Sequence, residues 1–228
     1  MVVTFKEQPQ RLVLYSIPWK SYDAILHALD GRRLRITYDR GTLEIMTIGY
    51  PHEFYKYLFG RFVDIVTLEL IIAMIPGGSL TFRRETMEKG LEPDQCYWIQ
   101  NAALMVGKKK YDIEVDPPPD VAIEIDIFRS SLNRMAIYAA LGVREIWRYD
   151  GETLQVYHLV AGKYKLKDRS RALPMLPMQE LLRFIKEAEG AELTQVMRSF
   201  TEWVREALMP APGPKNGKGN KTNGKSKP

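Results

Sequence analysis

The stretch PPPDVAIEIDIF, Pro117 to Phe128, decides the fold. It reads as a strand, and side chains on a strand alternate faces. Val121, Ile123, Ile125 and Ile127 fall on one side, and Asp120, Ala122, Glu124, Asp126 and Phe128 on the other. Four β-branched residues make a core face. Three carboxylates opposite them are less ordinary. The plain reading of such a segment is an antiparallel strand with one wet face. The residues after Phe128 argue against it. Ser130 and Ser131 suit the cap of a helix over LNRMAIYAAL, which Gly142 stops, and VREIWRYD is a further strand. Strand, helix, strand across residues 119–149 predicts one right-handed parallel crossover, which puts the acidic strand inside a sheet covered on both faces.

Acids buried close together repel unless a cation sits between them. Residues two apart on a strand are about 7 Å apart, so Glu124 and Asp126 can approach one ion jointly, or the intervening carbonyl can contribute. Oxygen ligands select a hard cation, Mg²⁺ or Mn²⁺. His27, His52 and His158 are scattered and Cys96 is the single cysteine, so no zinc cluster is suggested. A second acid lies on PDQCYWIQ, where Asp94 follows Pro93 and shares a face with Cys96 and Trp98. Alone it reads as a turn acid at a strand start; with Glu124 as partner it reads as a ligand.

Outward from this centre, RRLRITY and TLEIMTI flank Asp39-Arg40-Gly41 as a hairpin. Pro51 opens a helix expected to run through EFYKYLFGRFVDIVTLELIIAMI to the Pro-Gly-Gly at 76–78. SLTFRRE and PDQCYWIQ are extended, and VREIWRYD and TLQVYHLV form strands around Asp150-Gly151. The segment from Met178 to Leu208 is helical with a break at Gly190.

With 228 residues, 45% hydrophobic and 27% charged, the chain is expected to hold one domain, residues 1–208. Residues 209–228 carry five lysines, no acid and no large apolar side chain beyond Met209, and predict a disordered tail. Those lysines equal the whole net charge of +5, so the body is neutral and the high pI alone argues little for nucleic acid. No apolar run reaches the roughly 18 residues of a membrane span. The N-terminus lacks the regions of a secretory signal, which makes the cytoplasm the expected compartment.

Pro93-Asp94, then IEID (Ile123 to Asp126), then NRMAIYAALGVREIWRYD (Asn133 to Asp150) resemble the Uma-two family of putative restriction endonucleases, in the PD-(D/E)XK nuclease superfamily. The resemblance implies a mixed α/β fold: a central mixed sheet flanked by helices, with the hairpin N-terminal and helices C-terminal. It implies a Mg²⁺-dependent (or Mn²⁺-dependent) endonuclease that hydrolyses DNA. Asp94 and Glu124 then match the motif acids as catalytic metal ligands, with Asp126 a supporting ligand. Glu53, early in the first long helix, sits where a further acid often completes such sites, although the helix dipole favours an acid there in any case. Glu44 is a weaker candidate, expected to be exposed on the hairpin.

The departure is at the lysine. Two residues after Glu124 stands Asp126, and the displaced family lysine matches Arg134. Arginine keeps the charge and can stabilise a phosphate bidentately, but it is a poor base. If that lysine only neutralises charge, Arg134 serves; if it must shed a proton, the enzyme is impaired. The alternative is therefore a catalytically inactive nuclease-fold protein that binds nucleic acid or protein. No membrane partner is expected, and the reading allows a homodimer. A glycosidase-type acid pair finds no aromatic surroundings to support it.

Overall fold

A computed structural model of the chain describes residues 9–209. The tail expected over 209–228 lies outside these residues save for Met209. In chain order the elements are β1 Arg11–Leu14, α1 Trp19–Ala28, β2 Leu34–Asp39, β3 Thr42–Thr47, α2 Tyr50–Glu69, β4 Ile75–Pro76 and β5 Phe82–Arg84. There follow β6 Lys89–Leu91, β7 Gln95–Trp98, α3 Ala102–Met105, β8 Val121–Ile125, α4 Arg134–Ala140, β9 Glu145–Tyr149, β10 Leu154–Val160, β11 Lys163–Lys167, α5 Met178–Ala188 and α6 Leu193–Trp203.

The fold is mixed α/β, with two sheets flanked by helices. One sheet has six strands in the order β11-β10-β9-β8-β7-β4. Its β8 and β9 pair in parallel, Glu124 opposite Arg148, and its other pairings are antiparallel. The acidic strand is thus internal, and all five of its residues are buried. The alternation read from the sequence separates two cores. Val121, Ile123 and Ile125 join Trp147 and Tyr149 beneath α2, α5 and α6. Ala122 joins Cys96, Trp98 and Ile146 beneath Ile137, Tyr138 and Leu141 of the α4 region.

The hairpin belongs to a second sheet, five antiparallel strands in the order β1-β3-β2-β6-β5. Arg40 and Gly41 turn it with φ of 45° and 85°, the positive angles that a two-residue type I′ loop needs. Ile36, Tyr38 and Leu43 pack on Tyr22 of α1, with the Tyr22 and Tyr38 rings stacked at 4.5 Å between centroids. Their strand neighbours Arg35, Thr37 and Glu44 are buried on the opposite face.

Two local expectations are corrected. The long helix stops at Glu69, not at the Pro-Gly-Gly. Ile71 turns the chain at φ 54°, and Ile75 and Pro76 then pair with Trp98 and Tyr97 at the sheet edge, which a continuing helix would prevent. The cap of α4 is Asn133, whose side chain accepts from Ala136 N, and not Ser130 or Ser131. The two serines serve Glu44 instead. Gly142 does end that helix, at φ 80°. Among the described residues no helix is long and apolar enough to cross a membrane.

Candidate active site

Antiparallel pairing of β7 and β8 sets Gln95 opposite Ile123 and Cys96 opposite Ala122. One step further in that register, Asp94 stands opposite Glu124. Asp94 Oδ2 accepts from Ile125 N at 2.7 Å, closing the ladder with a side chain. The two acids are therefore cross-strand neighbours on one face of the mixed sheet, both buried.

Each is surrounded by donors. His52 Nε2, from the first turn of α2, lies 2.9 Å from Asp94 Oδ1, and its Nδ1 lies 3.4 Å from Glu53 Oε1. Arg134 donates Nε to Glu124 Oε2 at 2.9 Å and Nη2 to Oε1 at 2.7 Å. Its Nη1 reaches Thr37 Oγ1 and its Nη2 also reaches Glu92 O, both at 2.6 Å. Tyr138, one turn along α4, donates its hydroxyl to Glu124 Oε1. Arg35 Nη1 from β2 faces both acids, 3.6 Å from Asp94 Oδ2 and 3.8 Å from Glu124 Oε2, and lies 3.5 Å from Ile125 O.

These neighbours set the protonation states. Burial alone would raise the Asp94 carboxyl, but the charge and close approach of His52, followed by Arg35 and Arg134, hold it well below the usual carboxylate range. Burial pushes the Tyr138 hydroxyl far up, and the Glu124 charge pushes it further, so it stays a donor. For Arg134 burial acts downward, and Glu124 overrides it to keep the guanidinium protonated.

Asp94 also lines a cleft of about 550 Å³. Arg32, Arg33, Arg35, Lys56 and Arg83 supply positive charge to its wall, and Asp30, Glu53 and Glu92 further acids. Burial raises the Glu92 carboxyl despite the hydrogen bond from Thr81.

Of the residues singled out in the sequence, the structure brings Asp94, Glu124 and Arg134 together, with Glu53 joined through His52. Asp126 is set apart. It lies one residue past the end of β8 and is held by Arg148, whose Nε donates to Asp126 Oδ2 at 2.9 Å. Among the described residues it shares no ion-pair partner with either motif acid. Among the described residues, no three His, Cys, Asp or Glu side chains converge as a group that could hold a metal ion. Glu44, expected on the surface, is only 1% exposed. It accepts from both serine hydroxyls and, at 2.7 Å, from Ser131 N, which ties β3 to the segment beyond β8. Arg35, Thr37 and His52 were not marked by the sequence. The only trace of the first two is the Arg-x-Thr alternation against Ile-x-Tyr on β2.

The site is thus two acids from adjacent strands of a mixed sheet, bracketed by the buried side chains of Arg35, His52 and Arg134. The chain belongs to the Uma2 family, described as putative restriction endonuclease, whose model matches residues 19–187. No curated protein matches it. Among solved structures it is similar to a putative nuclease belonging to DUF820 from Anabaena variabilis. The two are 14% identical with a TM-score of 0.43, over 73% of this chain and 90% of that one.

Proposed function

We propose that the protein is a Mg²⁺- or Mn²⁺-dependent endonuclease that hydrolyses DNA phosphodiester bonds at the Asp94–Glu124 pair. Family membership supports nuclease chemistry. The observation that carries the reading is the strand register that sets Asp94 opposite Glu124, with the Ile125 carbonyl beside them.

The donor set fits a hard divalent cation. Asp94, Glu124 and the Ile125 carbonyl offer oxygen alone, and Mg²⁺ commonly takes one or two carboxylates and completes its shell with water and phosphate oxygens. Such an ion, when bound, polarises a phosphoryl oxygen and lowers the pKa of a bound water.

The chain's own groups do the rest. Arg134 and Tyr138 fix the Glu124 carboxylate in one orientation. His52 does the same for Asp94 and links it to Glu53 at the cleft wall. Arg32, Arg33, Lys56 and Arg83 give the cleft the charge that phosphate contacts use for positioning. The close contacts of Arg134 are with protein oxygens, so its role is to hold Glu124 rather than to abstract a proton.

The test is cleavage of plasmid and single-stranded DNA with Mg²⁺ or Mn²⁺. Wild type is expected to cut, and Asp94→Asn and Glu124→Gln each to reduce the rate at least about 100-fold, about 2.7 kcal/mol of transition-state stabilisation. Cleavage that survives both substitutions sinks the assignment. The second reading, a nuclease-fold protein that binds without cutting, is favoured by the full engagement of Arg134 where the family places lysine. DNA binding with no cleavage by folded wild type would select it.

A further inference from the structure

We propose that Arg35 is a built-in counter-ion of this site, which competes with the divalent cation for the same oxygens and so sets metal affinity. The inference rests on the metal reading of the Asp94–Glu124 pair and deepens it.

One nitrogen, Nη1, faces three oxygens: Ile125 O at 3.5 Å, Asp94 Oδ2 at 3.6 Å and Glu124 Oε2 at 3.8 Å. These are the oxygens that would hold the ion. A divalent ion seated at about 2.1 Å from all three would fall against Arg35 Nη1, which stands in front of them, so the two conflict in space and in charge.

The contacts of the two arginines differ in kind. Arg134 holds Glu124 and two further oxygens at 2.6 to 2.9 Å, the range of strong charge-assisted bonds. Among the described residues the Arg35 guanidinium makes no hydrogen bond or ion pair that short. Its Nη2 lies 3.9 Å from Met46 Sδ. Arg134 is fixed by a fork of hydrogen bonds, whereas Arg35 is held mainly by the charge it offsets.

Arg35 also has somewhere to go. The residue is only 5% exposed, yet it lines the 550 Å³ cleft beside Asp94. Displacement by an incoming ion turns the guanidinium toward that cleft and needs no opening of the core. Wild type therefore binds metal weakly for a site with two acids, and removal of the charge at position 35 tightens binding.

The experiment is calorimetric titration of Mn²⁺ into wild type, Arg35→Met and Arg35→Lys, with thermal unfolding of each with and without the ion. Arg35→Met is expected to bind at least tenfold more tightly than wild type and to gain more in Tm from Mn²⁺. Arg35→Lys keeps the charge and stays within a few-fold of wild type. An added Asp94→Asn in Arg35→Met abolishes the gain. Equal affinity of wild type and Arg35→Met overturns the competition while leaving the metal site intact, and so does Arg35→Lys binding as tightly as Arg35→Met. Folded wild type and folded Arg35→Met that both bind no Mn²⁺ overturn the metal reading itself. Should Arg35→Met not fold, Arg35→Gln takes its place under the same criteria.

Discussion

Arg134 grips both oxygens of Glu124, Nε on Oε2 at 2.9 Å and Nη2 on Oε1 at 2.7 Å. The fork is possible because α4 begins just beyond the end of β8, so its first residue reaches back over the strand. At the position where the sequence resemblance implies a lysine, this chain has a clamp.

Removal of that clamp leaves a buried carboxylate with Tyr138 and with Arg35, whose Nη1 is 3.8 Å away. Arg134→Met is expected to cost about 3–5 kcal/mol in urea denaturation, the range seen when one partner of a buried ion pair is deleted. Arg134→Lys retains the charge but not the planar fork, and should lose less. A methionine variant with the wild-type midpoint would show that the fork contributes nothing to stability.

Glu44 makes a separate tie. It links the hairpin sheet to the turn after the acidic strand, through Ser130 and Ser131. Glu44→Ala should destabilise by about 2 kcal/mol, since donors in the partly buried turn lose a charged acceptor. Ser130→Ala with Ser131→Ala in the same background should add little more. Additive losses in that double-mutant cycle would mean that the groups do not act together.

The depressed Asp94 carboxyl makes stability depend on acid. The folded state holds this group ionised at pH values where the unfolded chain takes up a proton. Its contribution is fully present above the unfolded pKa of about 3.9 and is lost as pH falls below it toward the folded value. Wild type should therefore lose stability steeply between pH about 4 and 2, and Asp94→Asn should show a shallower acid limb. Parallel limbs in chemical denaturation across that range would contradict the assignment.

Gly90 of β6 passes under the ring of Tyr22. A Cβ there would meet Tyr22 Cζ at 2.8 Å and the hydroxyl closer still. The ring is fully buried against Tyr38 and cannot swing aside. Gly90→Ala should cost about 1–3 kcal/mol through overpacking, read as a lower unfolding midpoint. A neutral result would mean that the hairpin sheet repacks freely.

The acid pair was legible because its signals are local. Pro93 marks a strand start, alternation puts Glu124 opposite an apolar face, and a helix then a strand imply a covered sheet. The reach of Arg134 comes from the same short connection. Arg35, Thr37 and His52 were not legible, since they come from elements far away in sequence. The Arg-x-Thr pattern of β2 serves equally for a wet hairpin, and nothing local says that a second sheet closes over it. Glu44 was misread for that reason. Asp126 is placed by a different cause: alternation gives it the same face in principle, but strand pairing ends at Ile125 and Arg148 holds its carboxylate. The overrun of α2 arose from the apolar LELIIAMI, whose last residues are needed at the sheet edge.

The site's charges are spread along the chain in a definite order. Arg35 and His52 precede both acids, and Arg134 comes after them. During synthesis the ribosome therefore releases the neutralising side chains of the hairpin and α2 first, Asp94 next and Glu124 later. The acid pair emerges into a chain that already carries two of its partners, and Arg134 and Tyr138 follow Glu124 by 10 and 14 residues. A growing chain thus bears both buried acids only after Arg35 and His52, which offset their charge, have been made.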